Sequence, residues 1–180
     1  MGVTLVPYSA EWNRDFEKIR EDILACAGGS IVSVEHIGST AIPGMVSKDV
    51  IDVQVGVASF DGVEALCEVL GRNGFELLPH VRQDHAPGHE FEEFVPGYEK
   101  RFLKASSGRR SAHIHVRKAS APNFEFALLF RDYLRKNSEA ARAYEQLKVR
   151  LAKAVGDDLK AYALIKDPVC DLIFMLAKTG

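Results

Sequence analysis

The stretch from Val34 to Val57, VEHIGSTAIPGMVSKDVIDVQVGV, decides the fold. It opens in apolar–polar alternation, turns at Gly38-Ser39-Thr40 and closes on an apolar run that carries Asp52. A period of two marks a half-buried strand, and a short apolar run bounded by turn residues marks a buried one. Two strands are expected, over Ile31–Ile37 and Val50–Val57. A carboxylate in the second is costly to bury unless it meets a cation, a donor or solvent at the strand's rim. Asp52 shares its strand face with Val50 and Gln54, while Asp49 lies on the other.

Glycine at position 38 lets the backbone approach a ligand closely. If Thr40–Gly44 opens a helical turn, its free N–H groups form an anion cradle with Ser39. Alone, the Gly-Ser pair is a weak signal whose plainer reading is a tight turn with a cap. A carboxylate facing such a cradle is placed to hold magnesium against a phosphate. The alternative is an Asp52 hydrogen-bonded to the cap, with no metal.

Working outward, Ser9 is an N-cap for a helix whose apolar residues Trp12, Phe16, Ile19, Ile23 and Leu24 recur at helical spacing; Gly28-Gly29 stops it. A helix over Phe60–Arg72 precedes a strand over Phe75–Leu78. Pro79–Gly97 reads as a loop with a short strand near Phe91–Val95. Tyr98–Ala105 and Ala112–Lys118 are strands joined by the polar turn SSGRRS. Phe124–Lys136, Ser138–Val155 and Leu159–Leu176 have helical periodicity, with Pro168 a kink or restart in the last. The order predicts an α+β fold: one domain over residues 1–180, with a mixed sheet, flanking helices and a helical C-terminal third.

The 180 residues suit one sizeable core, and 47% hydrophobic with 27% charged residues are values of a soluble globular chain. A formal net charge of -2 supplies no global basic field, which argues against nucleic acid as the partner. Cys26, Cys67 and Cys170 are odd in number and far apart, so neither a disulfide framework nor a zinc knuckle is indicated. The opening MGVTLVPYSAEW does not have the basic start and long apolar run expected of a signal peptide, and no run of about 18 apolar residues stands in the sequence. The expected setting is the cytoplasm, with no membrane.

EHIGSTAIPGMVSKDVIDV resembles the signature of the GrpB-like family, His-Ile-Gly-Ser-Thr-x-x-Pro-Gly followed by Lys-Pro-x-Ile-Asp. RFLK (Arg101–Lys104), HIHV (His113–Val116), FRDYLR (Phe130–Arg135), YEQLK (Tyr144–Lys148) and YALIK (Tyr162–Lys166) stand where that family has similar strings. The resemblance covers about the whole chain. It implies a nucleotidyltransferase-like fold, in which Gly-Ser and a strand Asp-x-Asp hold a nucleoside triphosphate and two magnesium ions. It also implies kinship with a folding accessory domain fused to some dephospho-CoA kinases, so a protein partner stays open. The second carboxylate of that pattern falls at Gln54, and a neutral amide is a poor magnesium ligand. Where related enzymes carry a third acid, this chain has His113 and His115, on one strand face.

The site expected on these grounds has Gly38 and Ser39 cradling phosphate, Asp52 holding magnesium and His115 as a substitute base. His113 and Gln54 line it, and Lys48, Arg101, Lys104, Lys148 and Lys166 neutralise phosphate. The implied ligand is a nucleotide or related phosphate-bearing small molecule. Two functions compete: nucleotidyl transfer to a small acceptor, and a non-catalytic binding or folding-accessory module. Taken singly, Lys48, Arg101, Lys104, Arg109 and Arg110 read as solvated surface charges, with Arg101 and Lys104 favoured by the family strings. For Lys148 and Lys166 the equal alternative is core packing of Tyr144 and Tyr162 with snorkelling lysines. His80, His85 and His89 read as a mobile loop rather than a metal site.

Overall fold

A computed structural model describes residues 3–90 and 93–179. Helix α1 (Glu11–Ala27) buries Trp12, Phe16, Ile19 and Ile23, one stripe of a 3.6-residue period, while Leu24 falls outside it. The Ser9 hydroxyl accepts the Glu11 N–H at 3.2 Å, and a single 3₁₀ turn at Gly28–Ser30 ends the element. Strands β1 (Ser33–Ile37) and β2 (Ile51–Val57) then pair antiparallel, with Ile37 opposite Asp52. Helix α2 (Val63–Arg72) crosses over to β3 (Phe75–Leu77), β4 (Arg101–Ala105) and β5 (Ala112–Lys118). The sheet order is β1-β2-β5-β4-β3, parallel only between β2 and β5. Helices α3 (Pro122–Lys136), α4 (Ser138–Val155) and α5 (Leu159–Thr179) complete the chain.

Side-chain parity divides the sheet. Ile51, Val53, Val55, Val57, Ile114, Val116 and Leu103 bury one face under α1 and α2. Asp52, Gln54, His113, His115 and Arg117 occupy the other, towards the helical third. A second apolar cluster joins Ile42 and Met45, after the Gly-Ser turn, to Phe130, Leu134, Tyr144, Cys170 and Ile173 on α3, α4 and α5. That cluster fixes the helices over the polar face.

Several expected boundaries move for physical reasons. Gly62, with φ of 75°, delays α2 to Val63. Pro122 starts α3 two residues early, since proline fits the first helical turn. Tyr98–Lys100 leave the sheet and pair with the loop: Asp84 N–H donates to Tyr98 O at 2.9 Å and Lys100 N–H to Arg82 O at 2.8 Å. The expected short strand has residues 91–92 outside the described set, and 93–95 are irregular. Helix α5 runs on through Pro168. Among the described residues no helix is long and apolar enough to cross a membrane.

Gly56 lets α3 reach the sheet. A methyl group there would lie 2.9 Å from the Phe124 ring and 2.8 Å from Ser33 Oγ. Gly56→Ala is therefore expected to destabilise the fold by about 1–3 kcal/mol through overpacking, read as a lower urea midpoint with little change in slope.

Candidate functional site

The polar sheet face, the Gly-Ser turn, the 79–100 loop and helices α3–α5 enclose a cavity of about 600 Å³. Its corner is built on β1, β2 and the turn between them. Gly38 has φ of 70° and ψ of -171°, and a side chain there would collide with the Asp52 carboxylate. Glycine therefore allows the turn to lie against Asp52 in a conformation other residues avoid. Ser39–Ala41 form the short turn that follows. His36 underpins it from the opposite face, within hydrogen-bond distance of Thr40 Oγ1 at 3.0 Å and stacked on Phe16 at 4.8 Å.

Asp52 stands opposite His113 in the parallel β2–β5 register, and Gln54 opposite His115. His113 Nδ1 lies 3.2 Å from Asp52 Oδ1, and His115 Nε2 lies 3.8 Å from it. Burial opposes charge on Asp52, but hydrogen bonding and charge from His113 and His115 outweigh it and hold the carboxyl well below its usual range. Since a carboxylate only accepts, His113 Nδ1 carries the proton, which in a neutral ring leaves Nε2 open as an acceptor. For His115 the assignment reverses. The Arg117 guanidinium can only donate, so its contact at 3.3 Å makes His115 Nδ1 the acceptor and puts the proton on Nε2, towards Asp52. Burial, then the charges of Lys100 and Arg117, push the His115 pKa down to about 4.

Behind this corner lies a buried network. Arg117 clamps Asp84 through Nε at 2.7 Å and Nη2 at 2.9 Å, and Lys100 reaches the same carboxylate at 2.7 Å. Asn123 on α3 donates to Asp84 at 3.0 Å and to Glu99 O at 3.1 Å. Burial opposes the Asp84 charge, yet Arg117 and Lys100 prevail and hold its carboxyl well below the ordinary value. Gln54, fully buried, accepts from Arg117 Nη1 and donates to Phe124 O at 3.1 Å.

The facing wall is basic. Lys48 lies 5.8 Å over the Tyr162 ring, and Lys148 lies 5.2 Å over Tyr144. Lys148 is 3% exposed and donates to the Val46 carbonyl at 2.6 Å, with no carboxylate in hydrogen-bond reach among the described residues. Burial pushes its pKa down to about 8, and the charges of Lys166 and Lys48 add to that effect against Glu145. Lys166 pairs with Asp167 at 3.0 Å and donates to Cys170 Sγ at 3.4 Å.

The structure thus gathers Gly38, Ser39, Lys48, Asp52, His113, His115, Lys148 and Lys166 around one cavity. Gln54 sits behind the wall instead. Arg101 lies on the other sheet face, held by Glu64 at 2.7 Å, because its register partner is the core residue Val116. Lys104 is taken by its cross-strand neighbour Glu76 at 3.5 Å. Arg109 meets Asp22, and Arg110 meets Asp15 and Asp49, fastening α1 to the β4–β5 turn. His85 pairs with Asp171 at 3.0 Å and His89 with Glu93 at 3.1 Å. Sequence reasoning missed Lys100, Asp84, Arg117 and Asn123. Arg117 was accessible, two residues beyond His115 and so on its face; Asp84 lies in a loop without periodicity.

The donor set was tested against the magnesium expected at Asp52. Magnesium prefers octahedral oxygen ligation. Here Asp52 is the one carboxylate at the corner, the Gln54 oxygen is occupied by a guanidinium, and the remaining neighbours are imidazoles. Among the described residues no group of three or more His, Cys, Asp or Glu side chains could hold a metal ion. These residues do not fit a two-magnesium centre.

Comparison with known proteins gives the family and the fold. The family model described as GrpB protein matches residues 2–175. A dephospho-CoA kinase of Mycolicibacterium paratuberculosis is 31% identical over 178 residues, covering 92% of this chain and 44% of the kinase. The UPF0157 protein YqkA of Bacillus subtilis is 30% identical over 165 residues, with the same two coverages of 92% and 44%. The chain therefore spans less than half the length of either relative. The crystal structure of the conserved protein GrpB from Enterococcus faecalis matches with a TM-score of 0.80 and 28% identity over 98% of each chain. The structure of Cid1 with its short product ApU matches with a TM-score of 0.51 and 14% identity, over 82% of this chain and 42% of that one. The mixed sheet with its flanking helices is a nucleotidyltransferase-like fold.

Two buried imidazoles give the site a stability signature. Burial, then the charge of Arg135, pushes the His36 pKa down to about 4, as the His115 pKa is pushed down to about 4. In the unfolded chain both protonate near the ordinary pKa of about 6.5. Between those values the unfolded state binds more protons, so stability falls as pH falls, by up to about 3 kcal/mol per histidine. Above that window the contribution is flat. Urea unfolding across this range is expected to show the decline, and His36→Gln to remove about half of the slope. A pH-independent midpoint there would contradict two buried neutral rings.

Proposed function

The chain belongs to the GrpB family, and from that premise we propose that its cavity binds a nucleotide or a related phosphate-bearing small molecule. The observation that carries this reading is the lysine wall. Lys48, Lys148 and Lys166 line one side of the cavity, and the Lys148 ammonium is buried against a single carbonyl. Glu145 offsets part of the cost of burying this cation without bonding it, and an anionic ligand offsets more. Across the cavity, the Gly38-Ser39 turn supplies the close backbone approach that a phosphate needs.

Nucleotidyl transfer is the fuller form of this reading. An acceptor hydroxyl would give its proton to His113 Nε2, the open imidazole nitrogen, with Asp52 orienting the ring and stabilising its charge. The acceptor oxygen would bond to the α-phosphorus as the α–β phosphoanhydride breaks. Pyrophosphate would leave towards the lysines. His113 is preferred over the His115 expected from sequence because the His115 acceptor nitrogen is engaged by Arg117.

One observation favours a second reading, a binding or accessory module without turnover. Gln54, where related enzymes would carry a second acid, is consumed by Arg117 and the Phe124 carbonyl. The kinship with a dephospho-CoA kinase more than twice this length agrees with a module that serves another domain.

Calorimetric titration with ATP, ADP and dephospho-CoA tests the shared premise, and a labelled-nucleotide transfer assay separates the two forms. Lys148→Met is expected to weaken binding about 10- to 100-fold, the worth of one charge-assisted contact, with the circular dichroism spectrum unchanged. The pH dependence has a definite sign. Lys148 is an ammonium below its pKa of about 8 and neutral above it, so affinity should fall as pH rises past 8. The Met variant should lose that pH dependence. Wild-type affinity that is indifferent to both would remove the lysine wall from the site.

A further inference from the structure

Position 54 and its surroundings carry more than the loss of a carboxylate. Gln54 is fully buried with both ends of its amide engaged. Its orientation is fixed, since the amide oxygen faces a guanidinium and the amide nitrogen faces a carbonyl. Arg117 is 6% exposed and Lys100 is 7% exposed, and together they bring two positive charges to one carboxylate, Asp84. Arg117, Lys100 and Asp84 together therefore carry one excess positive charge, and it faces the Asp52 carboxylate from the side where a second metal carboxylate would stand. A guanidinium is permanently charged. It does there what a metal ion does in a two-metal centre: it presents fixed positive charge beside the carboxylate strand.

The opposite wall repeats the pattern. Lys48, Lys148 and Lys166 face the cavity, and Asp167 pairs with only the last of them. Ser47 Oγ, in the same wall and in a residue 2% exposed, has no hydrogen-bond partner among the described residues. A buried hydroxyl left unpaired is a donor awaiting an acceptor, and a phosphate oxygen is one. A divalent cation entering with the ligand would shed tightly held water to sit among these fixed cations with one carboxylate as its protein ligand.

We propose that the cavity takes its polyphosphate ligand as the free anion, unaccompanied by a divalent cation, with Arg117 and Lys100 balancing Asp84 and Asp52 and the lysine wall supplying the charge that neutralises the ligand. This rests on the phosphate-binding reading above and narrows its ligand class to uncomplexed di- and triphosphates.

The test is calorimetric titration of the full chain with ATP and with inorganic tripolyphosphate, each in EDTA and in excess magnesium. Binding is expected in EDTA, and about tenfold weaker when magnesium masks two ligand charges, the loss of one charge-assisted contact. Gln54→Asp is the companion variant, with its fold checked by circular dichroism. A metal centre would gain a ligand from it and bind ATP more tightly with magnesium; the free-anion site gains nothing from magnesium. Binding by wild type only in magnesium, or a magnesium-dependent gain in Gln54→Asp, would overturn the inference and leave phosphate binding standing. No heat with either probe in either condition would overturn the phosphate reading itself, and this inference with it.

Discussion

The parallel pairing of β2 with β5 is the constraint on which the molecule depends. It sets Asp52 beside His113 and Gln54 beside His115, and by parity sends the intervening valines and isoleucines to the opposite face. A slip of one residue would turn the whole polar row into the core under α1 and α2. The apolar face thus fixes the register, and the register fixes the chemistry. Antiparallel β1 then brings Ile37 opposite Asp52, so the chain must turn at Gly38 against the carboxylate.

Much of this was readable from residue order. The limits of β5 and α4 follow from their periodicity, and the run from Val34 to Val57 contains two paired strands and the turn between them. The corner of the site was readable too, because strand parity alone puts Asp52, His113 and His115 on common faces. What parity cannot supply is which face of β4 looks inward. Arg101 and Phe102 are neighbours in the chain, yet Arg101 meets Glu64 on the far side while the Phe102 ring packs on His115 at 4.9 Å. The lysines pose a different difficulty. An i,i+4 spacing puts Tyr144 with Lys148 and Tyr162 with Lys166 on helix faces, but only the apolar cluster around Ile42 and Phe130 decides that those faces look onto the sheet. Asp84 has no local pattern at all, and its role exists only through partners 16 and 33 residues away.

Electrostatically, the cavity holds its acids and bases in separate arrangements. Asp84 is outnumbered by its cations, and Asp52 is matched to imidazole. Lys148 faces a carbonyl. Buried charges in such a state are weak evidence for stability, since well-packed apolar groups would serve it as well. They are better understood as preorganised polarity, fixed before any ligand arrives.

The Asp84 clamp has a consequence for the time course of ligand exchange. Asp84 and Lys100 belong to the loop that roofs the cavity, while the other partners of Asp84, Arg117 and Asn123, are anchored on β5 and α3. Lifting the loop separates one carboxylate from Arg117 and Asn123, and breaking a buried pair costs about 3–5 kcal/mol. At that cost the raised loop is populated in about one molecule in a few hundred to one in a few thousand. A ligand that needs the roof lifted would therefore have its entry slowed by that factor, whatever its affinity for the cavity.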